Sequence, residues 1–539
     1  MNKSKSLASF SFLEKIFLMT IILGIIFRFL TFNYFFWSDE IWTLLRVSGY
    51  TQTELTQVIN ERKDKNFIEV STLKQYQTTN NNKNLTDTFH SLTTEDAHLT
   101  PVYFVLTRWW MNWFGDSIIT TRTLPFIFSL FILPCVYWLC LELFPSQLTG
   151  WIAMALIAIS PVHLFFSTYV RFYSLSTLTI LISCITLLRA MRINNKMSWI
   201  LYAVFLTISF YTYLFSGLVA IGHGIYILLR EKIKITKKVI AYMGSSLVAT
   251  ICFFPWLIVI IKSLSTVKSN TGWLVQDASI KDRILTWIHN FSIALFDISN
   301  TLNNKLLFEK ILLIKLPDLI SFLLVLYSFY FLFKKASQQS YFFVFTLAGS
   351  TAFLIILMDL RSGTIASFDK RYLLPSFLGI QLSVAHLISY QISSFSKKNK
   401  KYGYSILIGV VLSSILACSI LVLKGPWQGS LSLGRLTPND LQERSQIINQ
   451  SKFPVLFGNP SSESLLSISR QVKPDVKILL SSETSPIDAL KQALAYSNNV
   501  FLYDSSLTLE QNLSNRKDIK IIPIFSSENR IILKKIEKQ

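Results

Sequence analysis

Long apolar runs recur along most of the chain, separated by short polar breaks, and the pattern stops near residue 423. The first, Phe12 to Phe36, has Glu14, Lys15, Arg28 and Asn33 as its strongly polar interruptions. About 20 apolar residues cross a bilayer core, so this run predicts a transmembrane helix. Further runs cover Ile118 to Phe144, Leu148 to Phe166, Phe172 to Leu188, Trp199 to Phe215 and Ser216 to Leu229. Five more cover Val239 to Ile261, Pro317 to Phe333, Tyr341 to Met358, Arg371 to Ile392 and Tyr402 to Leu423. The expectation is an all-α polytopic membrane protein of about 11 spans.

The first run ends in Phe35-Phe36-Trp37-Ser38-Asp39-Glu40-Ile41-Trp42, where aromatic residues of an interfacial belt meet two adjacent carboxylates. A long loop, 37–117, follows. Its Thr78 to Asn84 tract predicts a surface turn, and the Trp-rich Val102 to Phe114 predicts a helix lying in the interface.

Beyond Lys424 the apolar runs shrink to five or six residues. Val455 to Phe457, Val476 to Leu480, Val500 to Tyr503, Ile519 to Phe525 and Arg530 to Ile536 predict strands. Thr437-Pro438-Asn439-Asp440 and Ser485-Pro486-Ile487-Asp488 predict helix starts, each with a hydroxyl cap and proline in the first turn. The alternation predicts a small α/β domain over 424–539, separate from a membrane domain over 1–423. It has no Gly-rich phosphate loop and no nucleophile elbow, so it is expected to be accessory.

Composition supports the membrane reading: 51% of 539 residues are hydrophobic and only 15% charged. The net charge of +21 does not indicate nucleic acid, because Lys and Arg sit between apolar runs rather than on one polar face. Sixteen of them, including Arg189, Lys237, Lys334 and Lys397, fall in one set of connections, which marks the cytoplasmic side. The expected location is the cell (inner) membrane, with the N-terminus inside and the tail extracytoplasmic. All five cysteines lie in apolar runs, which indicates neither a disulfide framework nor a thiolate metal site.

Several short motifs, taken together, point to one family. Trp37-Ser38-Asp39-Glu40 is followed by Ala97-His98-Leu99-Thr100-Pro101-Val102-Tyr103-Phe104, then by Trp113-Phe114-Gly115-Asp116-Ser117 with Arg122. Ser160-Pro161 with Arg171 and Tyr173 comes next, and Arg371-Tyr372-Leu373-Leu374-Pro375 closes the set. Order and spacing resemble the membrane-embedded glycosyltransferases of the GT-C fold that use polyprenyl-phosphate sugars, the branch of protein O-mannosyltransferases and the lipid A aminoarabinose transferase (glycosyltransferase family 39-like). The chain departs from that pattern twice. One proline is missing after His98, and Tyr169 stands where relatives often carry a carboxylate near the arginine.

The chemistry can be reasoned separately. Moving a sugar from a lipid phosphate to a hydroxyl or amine needs a base on the acceptor and positive charge on the leaving phosphate. No acid is needed, because a phosphodiester leaves as a weakly basic anion. Asp39 is the candidate base, with Glu40 orienting the acceptor; these two are also the ligands for a divalent cation, if one is used, and no other cofactor is implied. Arg371, Lys370, Arg171 and Arg28 are candidates for the donor phosphate, and arginine suits this through its two-pronged donor geometry. Arg28 lies roughly 16 Å down a helix from Asp39 and could equally be a structural partner for a carboxylate. His98, Tyr103 and Tyr372 are candidate substrate-positioning residues by resemblance, and Arg122 reads as an interfacial anchor. The reading is therefore an inverting hexosyl- or pentosyltransferase with a lipid-linked sugar donor and a lipid, glycan or protein acceptor. A lipid-linked glycan polymerase or ligase is the alternative, as is a lipid or sugar transporter or flippase, which would carry more charge at mid-span.

Overall fold

The computed structural model describes residues 2–32, 36, 38–297, 309–424, 438–482, 487–527 and 530–539. Phe35 and Trp37 of the acidic motif, and the expected caps Thr437 and Ser485, lie outside them. The first helices are α1 (Asn2–Leu30), α2 (Ser38–Val47), α3 (Gln52–Arg62), α4 (Val70–Lys74), α5 (Leu85–Glu95), α6 (Val102–Phe114) and α7 (Ile118–Leu143). They are followed by α8 (Gln147–Ala158), α9 (Pro161–Ser167), α10 (Tyr173–Ile193), α11 (Lys196–Thr212), α12 (Ser216–Arg230), α13 (Lys237–Lys262), α14 (Leu264–Thr271) and α15 (Ile280–Ser292). The remaining long helices are α16 (Glu309–Lys335), α17 (Gln338–Ser362), α18 (Leu374–Ile392) and α19 (Lys397–Lys424).

The chain divides into two compact units. The first comprises Met1–Phe32, Asp96–Tyr103 and Arg122–Pro426; the second comprises Asn33–Glu95, Phe104–Thr121 and Trp427–Gln539.

The first unit is helical. Among the described residues, seven helices are long and apolar enough to cross a membrane, or eight if the bent pair α8–α9 is one span. About eleven were expected. The difference lies partly in α11 and α12, which are helical where predicted but have only 17 and 15 residues. At 1.5 Å per residue these fall short of a bilayer core of about 30 Å. The centre of this unit is the run Lys370–Ile392, whose apolar window is 94% buried, against 22% for Lys237–Lys262. Helix α18 packs on α8, α16, α17 and α19, so whatever precedes its first turn is held by the most enclosed helix of the unit.

The second unit is α/β. All five predicted strands form: β2 (Val455–Gly458), β3 (Lys477–Leu480), β4 (Val500–Leu502), β5 (Ile519–Ser527) and β6 (Arg530–Lys538), joined by one that was not predicted, β1 (Ile68–Glu69). The sheet order is β1-β3-β2-β4-β6-β5, with β3, β2 and β4 parallel and the other pairs antiparallel. Val455, Phe457, Leu479, Leu490 and Val500 build its core. The tail does not close this sheet alone. Ile68 pairs with Ile478, Asp64 N–H donates to Leu480 O at 2.9 Å, and Arg470 donates to Asp116 O at 2.8 Å, so most of the first long loop and the tail form one unit.

Candidate active site

Asp39 and Glu40 occupy the first turn of α2, where unpaired N–H groups and the helix dipole favour negative charge. Glu40 is 1% exposed, while Asp39 is half-buried. The apolar side of α2, Ile41, Leu44 and Leu45, is fully buried, which fixes the helix about its axis. Its other end is held by ions. Arg46 pairs with Glu95, and Arg108 donates to Val47 O at 2.7 Å. Glu95 also accepts from Gln52 N and Thr53 N at 2.7 and 3.1 Å, tying α5 to the start of α3. Burial alone would push the Glu95 carboxyl up, but Arg46 and these bonds outweigh it and hold it below the ordinary range. The rigid end of α2 is therefore distal to the two carboxylates.

The principal cations sit in the first unit, on a turn of 3-10 helix, Lys370–Leu373, that leads into α18. Asp369 caps it, accepting from Arg371 N at 3.1 Å, and its carboxylate also pairs with Arg371 Nε at 2.6 Å. Lys370 Nζ lies 3.2 Å from the buried carboxylate of Asp297. The Arg371 guanidinium stands 5.7 Å from the Trp273 ring and 5.9 Å from the Tyr372 ring, within cation–π range. Tyr372 stacks on Phe215 at 4.9 Å, and Tyr213 donates its hydroxyl to Arg371 O at 3.1 Å. Side chain and backbone of Arg371 are thus both fixed from outside the turn.

The approach to this turn is organised by a residue that the motifs did not indicate. Asp359, fully buried in the last turn of α17, accepts from Ala366 N at 3.0 Å, Ser367 N at 2.6 Å and the Thr364 hydroxyl. Asn290 of α15 holds the other side, donating to Ser367 O at 2.8 Å and Phe368 O at 3.1 Å. One sequence signal was available. An acid at a helix C-terminus opposes the dipole, so its presence there calls for strong local donors.

Arg171 is buried beside Phe172, whose ring packs 5.4 Å from Tyr213, the residue bonded to Arg371 O. The structure thus joins the Arg171 and Arg371 segments through one aromatic pair. Tyr169, at the position of the missing carboxylate, packs among Phe165, Phe166 and Tyr173. His98 lies half-buried in a turn fastened by Trp256, which donates to Ala97 O at 3.1 Å, and by Leu99 N bonded to Asp96 O at 2.8 Å. Tyr103 is fully buried.

Two arginines take different places from those expected. Arg28 is 1% exposed and donates to Gly24 O at 2.9 Å, to Ile157 O at 3.1 Å and to Ala158 O. Those last two carbonyls end α8, where the chain bends by 62° into α9. Arg28 is therefore structural, though its partners are backbone carbonyls and not the expected carboxylate, and it leaves the phosphate set because both terminal nitrogens are committed to that backbone. Arg122 is no interfacial anchor. It is 2% exposed and donates to Thr168 O at 3.3 Å.

Among the described residues no group of three or more His, Cys, Asp or Glu is arranged to hold a metal ion.

Residues 98–259 match the sequence model of the family described as dolichyl-phosphate-mannose-protein mannosyltransferase. That stretch includes His98, Tyr103 and Arg171, but not Asp39, Glu40 or Lys370 to Tyr372. No curated protein matches the chain by sequence. Among solved structures, it is similar to ArnT from Cupriavidus metallidurans bound to undecaprenyl phosphate, with 10% identity and TM-score 0.48 over 97% of each chain. It is also similar to the archaeal oligosaccharyltransferase AglB from Archaeoglobus fulgidus in complex with an inhibitory peptide and a dolichol-phosphate. There identity is 10% and the TM-score 0.45, over 87% of this chain and 64% of that one.

Proposed function

We propose that the chain is an integral membrane glycosyltransferase that moves a sugar from a polyprenyl-phosphate donor to an acceptor on the extracytoplasmic face. The observation that carries this reading is the Lys370–Leu373 turn. It fixes a guanidinium by Asp369, Trp273 and Tyr372 at the head of an enclosed apolar helix, in a chain whose residues 98–259 match a lipid-phosphate-sugar transferase family. A fixed guanidinium beside apolar structure suits a phosphate attached to a lipid tail.

In this reading Asp39 takes the proton from the acceptor hydroxyl or amine as that atom bonds to the anomeric carbon. The bond from that carbon to the phosphate oxygen breaks, and the lipid phosphate leaves as an anion held by Arg371, with Lys370 and Arg171 adding positive charge. A single displacement inverts the anomeric centre. His98 and Tyr372 position the substrates, and Glu40 and Tyr103, both buried, support the site from behind. Any divalent cation would draw on Asp39 and Glu40. In this reading the N-terminus lies in the cytoplasm and the tail outside, a topology that the distribution of basic residues supports, and a reporter fused after Gln539 should be active only outside the cytoplasm.

The test of the function is Asp39→Asn. It preserves size and hydrogen bonding but cannot accept a proton, so turnover of a polyprenyl-phosphate sugar should fall by about 10² or more. A wild-type rate would remove Asp39 as the base.

A further inference from the structure

After α15 the sequence runs Ile293-Ala294-Leu295-Phe296-Asp297, four apolar residues closed by an acid. The helix stops at Ser292, yet all five residues are buried, none more than 8% exposed. Irregular backbone inside a membrane domain persists only where other groups satisfy it. Here side chains from three helices do so. Gln381, fully buried in α18, donates its amide to Ala294 O at 3.0 Å, and its own carbonyl lies 3.0 Å from His163 Nε2 of α9. The hydroxyl of Ser160, which precedes α9, donates to the same Ala294 O at 3.2 Å, and that of Ser414 in α19 donates to Leu295 O at 2.6 Å. Leu295 N and Phe296 N both bond to Ser292 O at 3.0 Å. The segment is therefore anchored along its length.

Asp297 stands at the end of that anchored segment. Its side chain is fully enclosed, and Lys370 Nζ lies 3.2 Å from its carboxylate. A lipid phosphate drawn to Lys370 thus also meets a fixed negative charge that it cannot displace into water. The low dielectric of an enclosed site keeps that repulsion from being screened.

The repulsion does not act equally on the two lipids of the reaction. A polyprenyl-phosphate sugar is a phosphodiester with one negative charge. After transfer the lipid keeps a phosphate monoester, whose second ionisation lies near pH 6, so it carries up to two. Coulomb energy follows the product of the charges, so every fixed charge acts about twice as strongly on the spent lipid as on the donor. Cations alone would therefore hold the product more tightly than the substrate.

We propose that Asp297 is the charge-discriminating residue of the phosphate site: from its anchored segment it weakens the hold of Lys370 on the doubly charged spent lipid more than on the singly charged sugar donor, and so favours exchange of one for the other. This inference rests on the reading of Arg371 and Lys370 as the phosphate cations. An ion pair that only braced the fold would change the affinity for both lipids by the same factor.

The experiment titrates two probes into full-length wild type, Asp297→Asn, Lys370→Gln and Arg371→Ala in detergent micelles at about pH 8, above the second ionisation of the monoester. The probes are a polyprenyl phosphate and the methyl diester of the same lipid phosphate, and thermal unfolding is the control for folding. Asp297→Asn keeps the shape but removes the charge. It should bind the diester roughly threefold tighter and the monoester roughly tenfold tighter, the second factor being about the square of the first. An equal change for both probes, no change, or weaker binding, with Arg371→Ala still impaired, overturns this inference and leaves the phosphate reading intact. Wild-type affinity for both probes in Arg371→Ala and Lys370→Gln overturns the phosphate reading, and this inference with it. Should Asp297→Asn fail to fold, Asp297→Ser, smaller and equally uncharged, is read by the same ratio.

Discussion

Arg28 and Arg371 are both arginines of the helical unit, and the difference between their surroundings separates structure from chemistry. Arg28 meets the carbonyls of Gly24, Ile157 and Ala158 at the α8–α9 bend, and Gly24 is essential there because a Cβ would stand 2.3 Å from Ala158 O. Its charge closes a broken helix where no water can. Arg371 is held through Asp369, two rings and its own carbonyl, a set that orients the guanidinium. An arginine whose partners are backbone oxygens of another helix is a cap. One whose partners are a carboxylate and aromatic faces is oriented toward a task.

The comparison can be broken at either end. The largest expected effect is on folding. Arg28→Ala removes charge-assisted bonds to Gly24 O, Ile157 O and Ala158 O in an apolar interior and leaves a cavity at the bend, and it should destabilise the protein by about 3 kcal/mol or more. Loss of the monodisperse, heat-resistant species after extraction would record it, and a stable Arg28→Ala protein with weakened donor binding would return Arg28 to the phosphate candidates. Next, Arg371→Ala should leave the fold in place and weaken donor binding by about ten- to a hundredfold. Arg371→Lys should recover only part of that, since a point charge cannot copy the two-pronged contact.

Asp359→Asn should give a smaller loss of donor affinity, several-fold, without touching the donor. It weakens the three bonds that shape residues 364–367 ahead of the turn. The smallest effect concerns acid sensitivity. Because the Glu95 carboxyl is held below its ordinary value, its contribution is fully present above the unfolded value of about 4.3 and fades as pH falls through the lower folded value. Proteolysis of the first long loop should therefore accelerate on acidification, and Glu95→Gln should flatten that dependence.

Much of this was legible in the sequence because it depends on local pattern. The five tail strands follow apolar runs bounded by polar breaks, and Val102–Phe114 is helical as expected. Strand β1 was not legible: two residues, Ile68 and Glu69, become a strand only by pairing with β3, more than 400 positions away. Arg28 stayed ambiguous for a related reason. Spacing gives its depth in a helix but not the bend that it meets 130 residues later. Asp359 was missed because its partners are set by a folded loop.

The account's central claim is a division of labour, with Arg371 holding the donor phosphate and Asp39 acting on the acceptor's proton. Titrating a polyprenyl phosphate into purified Arg371→Ala and Asp39→Asn proteins, side by side with wild type, tests it directly. Affinity should fall by about tenfold or more in Arg371→Ala and stay at the wild-type value in Asp39→Asn. Wild-type affinity in Arg371→Ala, or an equal loss in Asp39→Asn, would contradict it.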